Sequence, residues 1–384
     1  MKIAYVLNSG NPGGTERHVL DLVKGMVKRG HRVFVWCKDG EIAKWYEEAG
    51  AEVYRSEITS DIDPKYILNL VNFLRSNKID VLHAHDLKPA TNALFASIIS
   101  RTKVKITHIH TPMSEWQVPS TLKKIVTFIQ IRCYSFLVNT FSDSEIALTN
   151  TRKIVKLAEG ISDKKLTIIH NGLDETRLLH SEEEKKQSRE AVKNNYGIPQ
   201  EAFVIGVISR ISEEKGHTVL LKAFKSFLDK NNELSRDVYL IIAGGGPLEN
   251  ELRQKVQEMN FGGKVIVTGI FPDDVQPMFY DTFDIFVFPS LAEGFGLVLI
   301  EAMLCNIPVI CSDLDVLKEV SGLNAVFFKT GDYVDLSRKL YEMRSQMVQS
   351  TYEPHPTQEF ILKNYSMDKF ITEYENLYGR FLTK

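Results

Sequence analysis

The pattern of apolar runs along the chain predicts an α/β protein built from two Rossmann-like, doubly wound parallel sheets, one in each half of the sequence. Three observations carry that prediction. Strand-length apolar runs alternate with helix-length amphipathic segments. The series starts afresh after a polar, Glu- and Lys-rich stretch at Glu182–Asn195. The chain's 384 residues also exceed what a single hydrophobic core organises, so two or three domains are expected.

In order, Lys2–Leu7 reads as a strand and Asn8–Gly14 as a loop by composition. Thr15–Arg29 has a wide apolar helical face, and Gly30 is its stop. Arg32–Cys37 is the next strand. Pro64–Asn77 is a helix with proline in its first turn. Ile79–His83, Val104–Ile109, Phe136–Phe141 and Leu166–Ile169 are expected strands, with a helix at Lys88–Ser100. Asn171–Pro199 is the junction, and Glu182–Asn195 within it reads as an exposed helix. The second series has strands at Phe203–Ser209, Val238–Ala243, Lys264–Thr268, Asp284–Phe288, Ile307–Cys311 and Ala325–Phe328. Asp368–Leu382 closes the chain as an amphipathic helix carrying Phe370, Ile371, Tyr374 and Leu377.

Composition excludes several function classes. A net charge of −2 gives no nucleic-acid signature. The four cysteines, Cys37, Cys133, Cys305 and Cys311, are scattered and read as buried thiols of a reducing compartment. No secretory leader layout and no run long enough to span a bilayer are seen, so the expected location is the cytoplasm.

The chemistry concentrates at Pro289–Glu301, a strand end, a glycine turn and a helix start. Such a turn lets backbone approach a ligand, and a helix start favours anions. Glu293 and Glu301 would stand roughly 12 Å apart if the eight steps between them were helical. That is too far to share a proton but suits gripping two ends of one extended ligand. Ser209-Arg210 ends the first strand of the second series and Lys215-Gly216 opens the next helix, a pair of cations suited to a diphosphate. Pro-Ser, Glu-Gly-Phe-Gly and Glu-Ala-Met, with glutamates at Glu-x(7)-Glu spacing, resemble the signature of retaining glycosyltransferases of family 4, which have the GT-B fold.

That resemblance covers nearly the whole chain. It implies an N-terminal acceptor-side domain over 1–170, a donor domain over 171–365, and a last helix, 366–384, crossing back onto the first domain. It implies a two-domain cleft enzyme moving a sugar from a nucleotide-diphosphate sugar, UDP- or GDP-linked, to a hydroxyl of a glycan, lipid or small molecule. The implied catalytic residues are His110, Arg210, Lys215 and Glu293. Gly14, Gly245, Phe295, Gly296, Leu297 and Glu301 would bind the donor, and Glu16 and His85 the acceptor. No cofactor or metal is expected. In lipid-modifying relatives, basic-apolar surface of the first domain docks on membrane, and Ser120–Leu137, with Lys123, Lys124 and Arg132, is the candidate for contact at the cytoplasmic face. Asn171-Gly172-Leu173-Asp174 resembles the family's Asn-Gly-Val-Asp between domains.

The same residues admit competing readings. A sugar-nucleotide-binding protein without turnover would use the same site. An NAD enzyme would need Gly-x-Gly-x-x-Gly, whereas Gly10, Gly13 and Gly14 have another spacing. A glycosidase pair would leave the phosphate apparatus without use. Alternating His83/His85 and His108/His110 make a metal site conceivable, but no third ligand cluster is evident. Asp61-Ile62-Asp63 and Asp313-Leu314-Asp315 are read as chance triplets, the first as a cap or turn.

Overall fold

The computed structural model describes residues 1–115, 120–230, 233–353 and 357–383. The chain divides into two compact units, Met1–Gly172 with Met367–Lys384, and Leu173–Ser366.

The first unit runs β1 (Lys2–Val6), α1 (Gly14–Lys28), β2 (Arg32–Cys37), α2 (Glu41–Glu48), β3 (Glu52–Arg55), α3 (Pro64–Asn77) and β4 (Val81–His85). It continues through α4 (Leu87–Ser100), β5 (Val104–His108), α5 (Thr121–Phe141), β6 (Ser144–Ala147), α6 (Asn150–Ala158) and β7 (Leu166–Ile168). The strands form one parallel sheet in the order β3-β2-β1-β4-β5-β6-β7. The winding reverses between β1 and β4, where the carboxyl ends of the strands open a crevice for ligands.

The second unit begins with α7 (Glu182–Asn195), closed at its start by a capping box of Ser181 and Glu184. It continues with β8 (Phe203–Ile208), α8 (His217–Lys230), β9 (Val238–Ala243), α9 (Glu249–Met259), β10 (Val265–Val267), α10 (Gln276–Thr282) and β11 (Ile285–Phe288). Then come α11 (Leu297–Leu304), β12 (Val309–Ser312), α12 (Asp315–Ser321), β13 (Val326–Phe328), α13 (Tyr333–Val348) and α14 (Thr357–Tyr365). Its parallel sheet has the order β10-β9-β8-β11-β12-β13, with the reversal between β8 and β11.

The last helix, α15 (Met367–Leu382), belongs to the first unit. Its Phe370, Ile371, Tyr374, Leu377 and Tyr378 share one core with Val19, Leu22, Val23 and Met26 of α1. Arg29, at the end of α1, pairs with Glu375 at 2.6 Å and Asp368 at 2.7 Å on α15.

Two expectations need correction. Phe136–Phe141 is not a strand but the last turns of α5, and the strand of that region is β6, just downstream. The burial there has helical period: Tyr134 and Val138 are buried while Phe136 is 64% exposed. The cysteines are not all buried. Cys133 is exposed, because it lies on the outward stripe of α5, and Cys305 is partly exposed. Asp63 is the N-cap of α3, accepting from the Tyr66 amide at 3.0 Å. Asp313 accepts from the amide and hydroxyl of Thr330. Both triplets are thus accounted for by local structure.

Candidate active site

In the second unit the candidate donor residues sit on the loops after β8, β9 and β11, at the carboxyl ends of the strands. Lys215 closes a short 3-10 turn, and Gly216 follows in the left-handed region at φ +67°. A Cβ on Gly216 would lie 2.0 Å from the Pro289 carbonyl oxygen, so the loop after β8 lies backbone to backbone on the loop after β11. The Leu291 amide donates to the Glu214 carbonyl at 2.7 Å and fastens the same two loops. This stitching brings Lys215 onto Glu293, Nζ to Oε2 at 2.7 Å, with both side chains mostly shielded. Oε1 of Glu293 accepts from the Gly294 amide at 3.1 Å. Lys215 also stands 5.8 Å from the ring of Phe288, the last residue of β11.

Gly296 caps α11 in the left-handed conformation, φ +97°, so the amides of Leu297 and the following residue form an open first turn. Phe295 is buried and meets Tyr365 edge-on. One turn into α11, Oε2 of Glu301 accepts from the Tyr280 hydroxyl at 2.6 Å and the Gln276 amide at 2.8 Å. Burial first, then the nearby Glu301 charge, pushes the Tyr280 phenol well up, so it stays a donor. Gly245 packs against Ile270 of the loop after β10, and its carbonyl accepts from the Ile211 amide at 2.9 Å. Arg210 is exposed on the loop after β8. The geometry therefore joins Lys215 to Glu293 directly and anchors Glu301 through a partner the sequence reading did not single out, Tyr280. A neighbouring cavity of about 420 Å3 is lined by Ile211, Ser212, Gly216, His217 and Leu291 among others, and not by Lys215 or Glu293.

In the first unit, Gly14 opens α1 and Glu16 is buried in its first turn. The Tyr46 hydroxyl donates to the Glu16 carbonyl at 3.0 Å. His85 ends β4 beside His108 at the end of β5. His85 Nδ1 lies 3.2 Å from His110 Nε2, and the His108 and His110 rings stack at 3.8 Å. His18 on α1, which the sequence reading missed, meets the His110 ring edge-on at 4.8 Å and the His108 ring at 5.0 Å. Its Nδ1 lies 2.8 Å from Asn171 Oδ1. The third partner that strand alternation alone could not supply thus comes from a helix. Burial lowers His18 to about 4 and holds His85, His108 and His110 well below the usual imidazole value. All four are neutral at pH 7. Asp86, the next residue after β4, has φ +68°, a strained conformation for a residue with a side chain at a strand end of this kind.

Two Rossmann-like units, with charge and glycine turns at a winding reversal in the second, define a GT-B glycosyltransferase. The chain belongs to glycosyltransferase family 4: the profile described as Glycosyltransferase Family 4 matches residues 12–177 and that described as Glycosyl transferases group 1 matches residues 188–349. Among relatives, the O-antigen biosynthesis glycosyltransferase WclY of Escherichia coli is 23% identical over 99% of this chain and 98% of its own. An Escherichia coli UDP-Gal:alpha-D-GlcNAc-diphosphoundecaprenol alpha-1,3-galactosyltransferase is 23% identical over 82% of this chain and 80% of its own. Among solved structures, Anabaena Alr3699/HepE in complex with UDP superposes with a TM-score of 0.84 at 21% identity, covering 99% of this chain and 100% of that one.

Proposed function

We propose that this glycosyltransferase moves a sugar from a UDP- or GDP-linked donor to a hydroxyl of a glycan or lipid-linked saccharide, with retention at the anomeric carbon and without a metal in the transfer step. The Lys215–Glu293 contact at the winding reversal of the second unit carries the reading. The names of the relatives, in O-antigen synthesis and on a diphosphoundecaprenol acceptor, support the acceptor class. Lys215 pairs with Glu293. An arriving diphosphate competes for that ammonium and releases the Glu293 carboxylate to accept hydrogen bonds from sugar hydroxyls.

Arg210 and the first turn of α11, from Gly296 and Leu297, then hold the remaining phosphate oxygens. Glu301, anchored by Tyr280 and Gln276, accepts from the ribose hydroxyls. Gly245 and Phe295 line the donor loops. In the transfer step the bond from the anomeric carbon to the phosphate oxygen breaks, and a bond to the acceptor oxygen forms on the same face. The acceptor proton passes to the departing phosphate, leaving a nucleoside diphosphate. Charge stabilisation by Arg210 and Lys215 and positioning supply the rate. On the first unit, the roles follow the family resemblance: Gly14 contributes to donor binding, Glu16 and His85 to acceptor binding, and His110 to catalysis.

Nucleotide-sugar turnover in the presence of a diphospholipid-linked acceptor tests the reading. Lys215→Ala and Glu293→Ala should each lower turnover by about 10²-fold or more with the fold retained. Tight donor binding with no transfer or hydrolysis by the wild type would make the protein a binder instead.

Membrane contact forms part of the same proposal. Along α5, Leu122, Ile125, Val126, Ile129 and Phe136 recur at helical spacing and all are exposed, Leu122 by 72%. The opposite face, with Ile131, Tyr134 and Val138, is buried. An outward apolar stripe flanked by Lys123, Lys124 and Arg132 suits the interface of an anionic bilayer. Among the described residues no helix is long and apolar enough to cross one.

A further inference from the structure

The first unit gathers more imidazole at the ends of β4 and β5 than the transfer reaction uses. We propose that His18, His85, His108 and His110 form a binding site for one divalent transition-metal ion of the zinc, cobalt or nickel class, an ion that takes no part in the transfer step but shares His85 and His110 with the roles proposed above. One nitrogen from each ring can be chosen so that all four lie within 4.8 Å of one another. A tetrahedral ion with bonds of about 2.0–2.1 Å holds its nitrogens roughly 3.3 Å apart, so side-chain rotations that draw the rings inward complete the shell.

Unpaired atoms point the same way. His85 Nε2 and both nitrogens of His108 are buried and have no hydrogen-bond partner. Each such orphan costs on the order of 1–3 kcal/mol, and a single ion would take one nitrogen from each ring. His18 shows the arrangement that orients a metal-binding imidazole. Its Nδ1 donates to Asn171 Oδ1 at 2.8 Å, which fixes the tautomer and leaves a lone pair on Nε2. In the absence of metal that lone pair faces the Tyr374 hydroxyl at 3.3 Å, a long contact that an ion would replace.

The ligand set selects the ion. Four imidazoles with no carboxylate or thiolate suit zinc, cobalt, nickel or copper, and disfavour magnesium and calcium. The nearest cation, Lys156, is already compensated: it pairs with buried Glu145 and donates to the Ile109 carbonyl at 2.9 Å. A bound ion would tie α1 to the ends of β4 and β5. It would also occupy His110, so loading slows transfer while leaving nucleotide binding by the second unit unchanged.

The test is titration of the untagged, chelator-stripped protein with Co2+, followed by absorption spectroscopy and by Zn2+ displacement. One equivalent of Co2+ should bind with the intense visible bands of a tetrahedral ion, and Zn2+ should abolish them. His108→Asn should lose the bands. Asn171→Ala, which removes the acceptor of His18 Nδ1 and touches no ligand nitrogen, should weaken Co2+ about 10–100-fold. UDP affinity should be the same with and without metal, which separates this site from the donor reading. Weak six-coordinate binding by the wild type, or tetrahedral bands that persist in His108→Asn, would overturn the assignment.

Discussion

Gly216→Ala, compared with Gly197→Ala, separates backbone strain from the loop contact that seats Lys215. The two glycines have nearly equal φ, +67° and +66°. Alanine there costs about 1–2 kcal/mol for the left-handed conformation at either site. The surroundings differ. A Cβ at Gly197 meets nothing within 4 Å, whereas at Gly216 it would lie 2.0 Å from the Pro289 carbonyl oxygen. Neither backbone can yield without moving the loop that carries Glu293 away from the one that carries Lys215. Both variants should melt lower, by roughly 2–4 °C per kcal/mol for a unit of this size. Only Gly216→Ala should lose turnover, by about 10²-fold for a displacement near 1 Å. Gly197 precedes β8, at the amino ends of the strands, whereas the site lies at their carboxyl ends, so its variant should turn over normally. Differential scanning calorimetry and initial-rate transfer assays read the two effects apart. Equal loss of activity in both variants, or none in either, would refute the role given to this loop contact.

Other perturbations have defined outcomes. His217 is lowered to about 4 by burial first and then by the Lys215 charge. An unfolded imidazole near 6.5 takes up a proton that the native one refuses as pH falls, so stability drops between pH 7 and pH 5 by about 2 kcal/mol from this group. Urea unfolding of His217→Gln should show a correspondingly flatter pH dependence. Lys156→Met should cost about 3–5 kcal/mol, because Glu145 would stay buried with only the Tyr134 hydroxyl at 2.8 Å and the Ile109 amide at 3.1 Å. Adding Glu145→Gln should recover part of that loss in the same unfolding assay. Ile125→Glu with Ile129→Glu should abolish flotation with anionic vesicles while leaving turnover of a water-soluble acceptor intact.

Much of the fold was legible because its signals are local. The cap or turn at Asp61–Asp63, the proline that starts the helix after it and the glycine turns each write their structure within a few residues. The frame of the candidate donor site was legible for the same reason: Pro289–Glu301 holds strand end, turn and helix start in one stretch. What failed depended on distant neighbours. Phe136–Phe141 has a strand's composition, but it continues the helical period of α5: Val138 packs inward one turn after Tyr134, and Phe136 between them faces out. β6 was hidden because Glu145 sits fully buried in it, acceptable only with Lys156 from the following helix. His18 gave no sign of its company, since nothing near it in sequence places it beside β4 and β5. Glu301 was found, but its anchor Tyr280 was not, being brought in from α10.

The second unit enters and leaves the rest of the chain through adjoining threads. Leu173 bridges Ser366 in parallel, and the Leu173 amide donates to the Tyr365 carbonyl at 2.8 Å. A module whose two ends already touch behaves as a cassette. It can be excised, rejoined by a short spacer, or exchanged with another family member's without stretching either parent. Cutting the chain once, after Ser366, does the opposite: it strips away α15 and bares the greasy flank of α1, making the tail a part of the amino-terminal fold in all but sequence order.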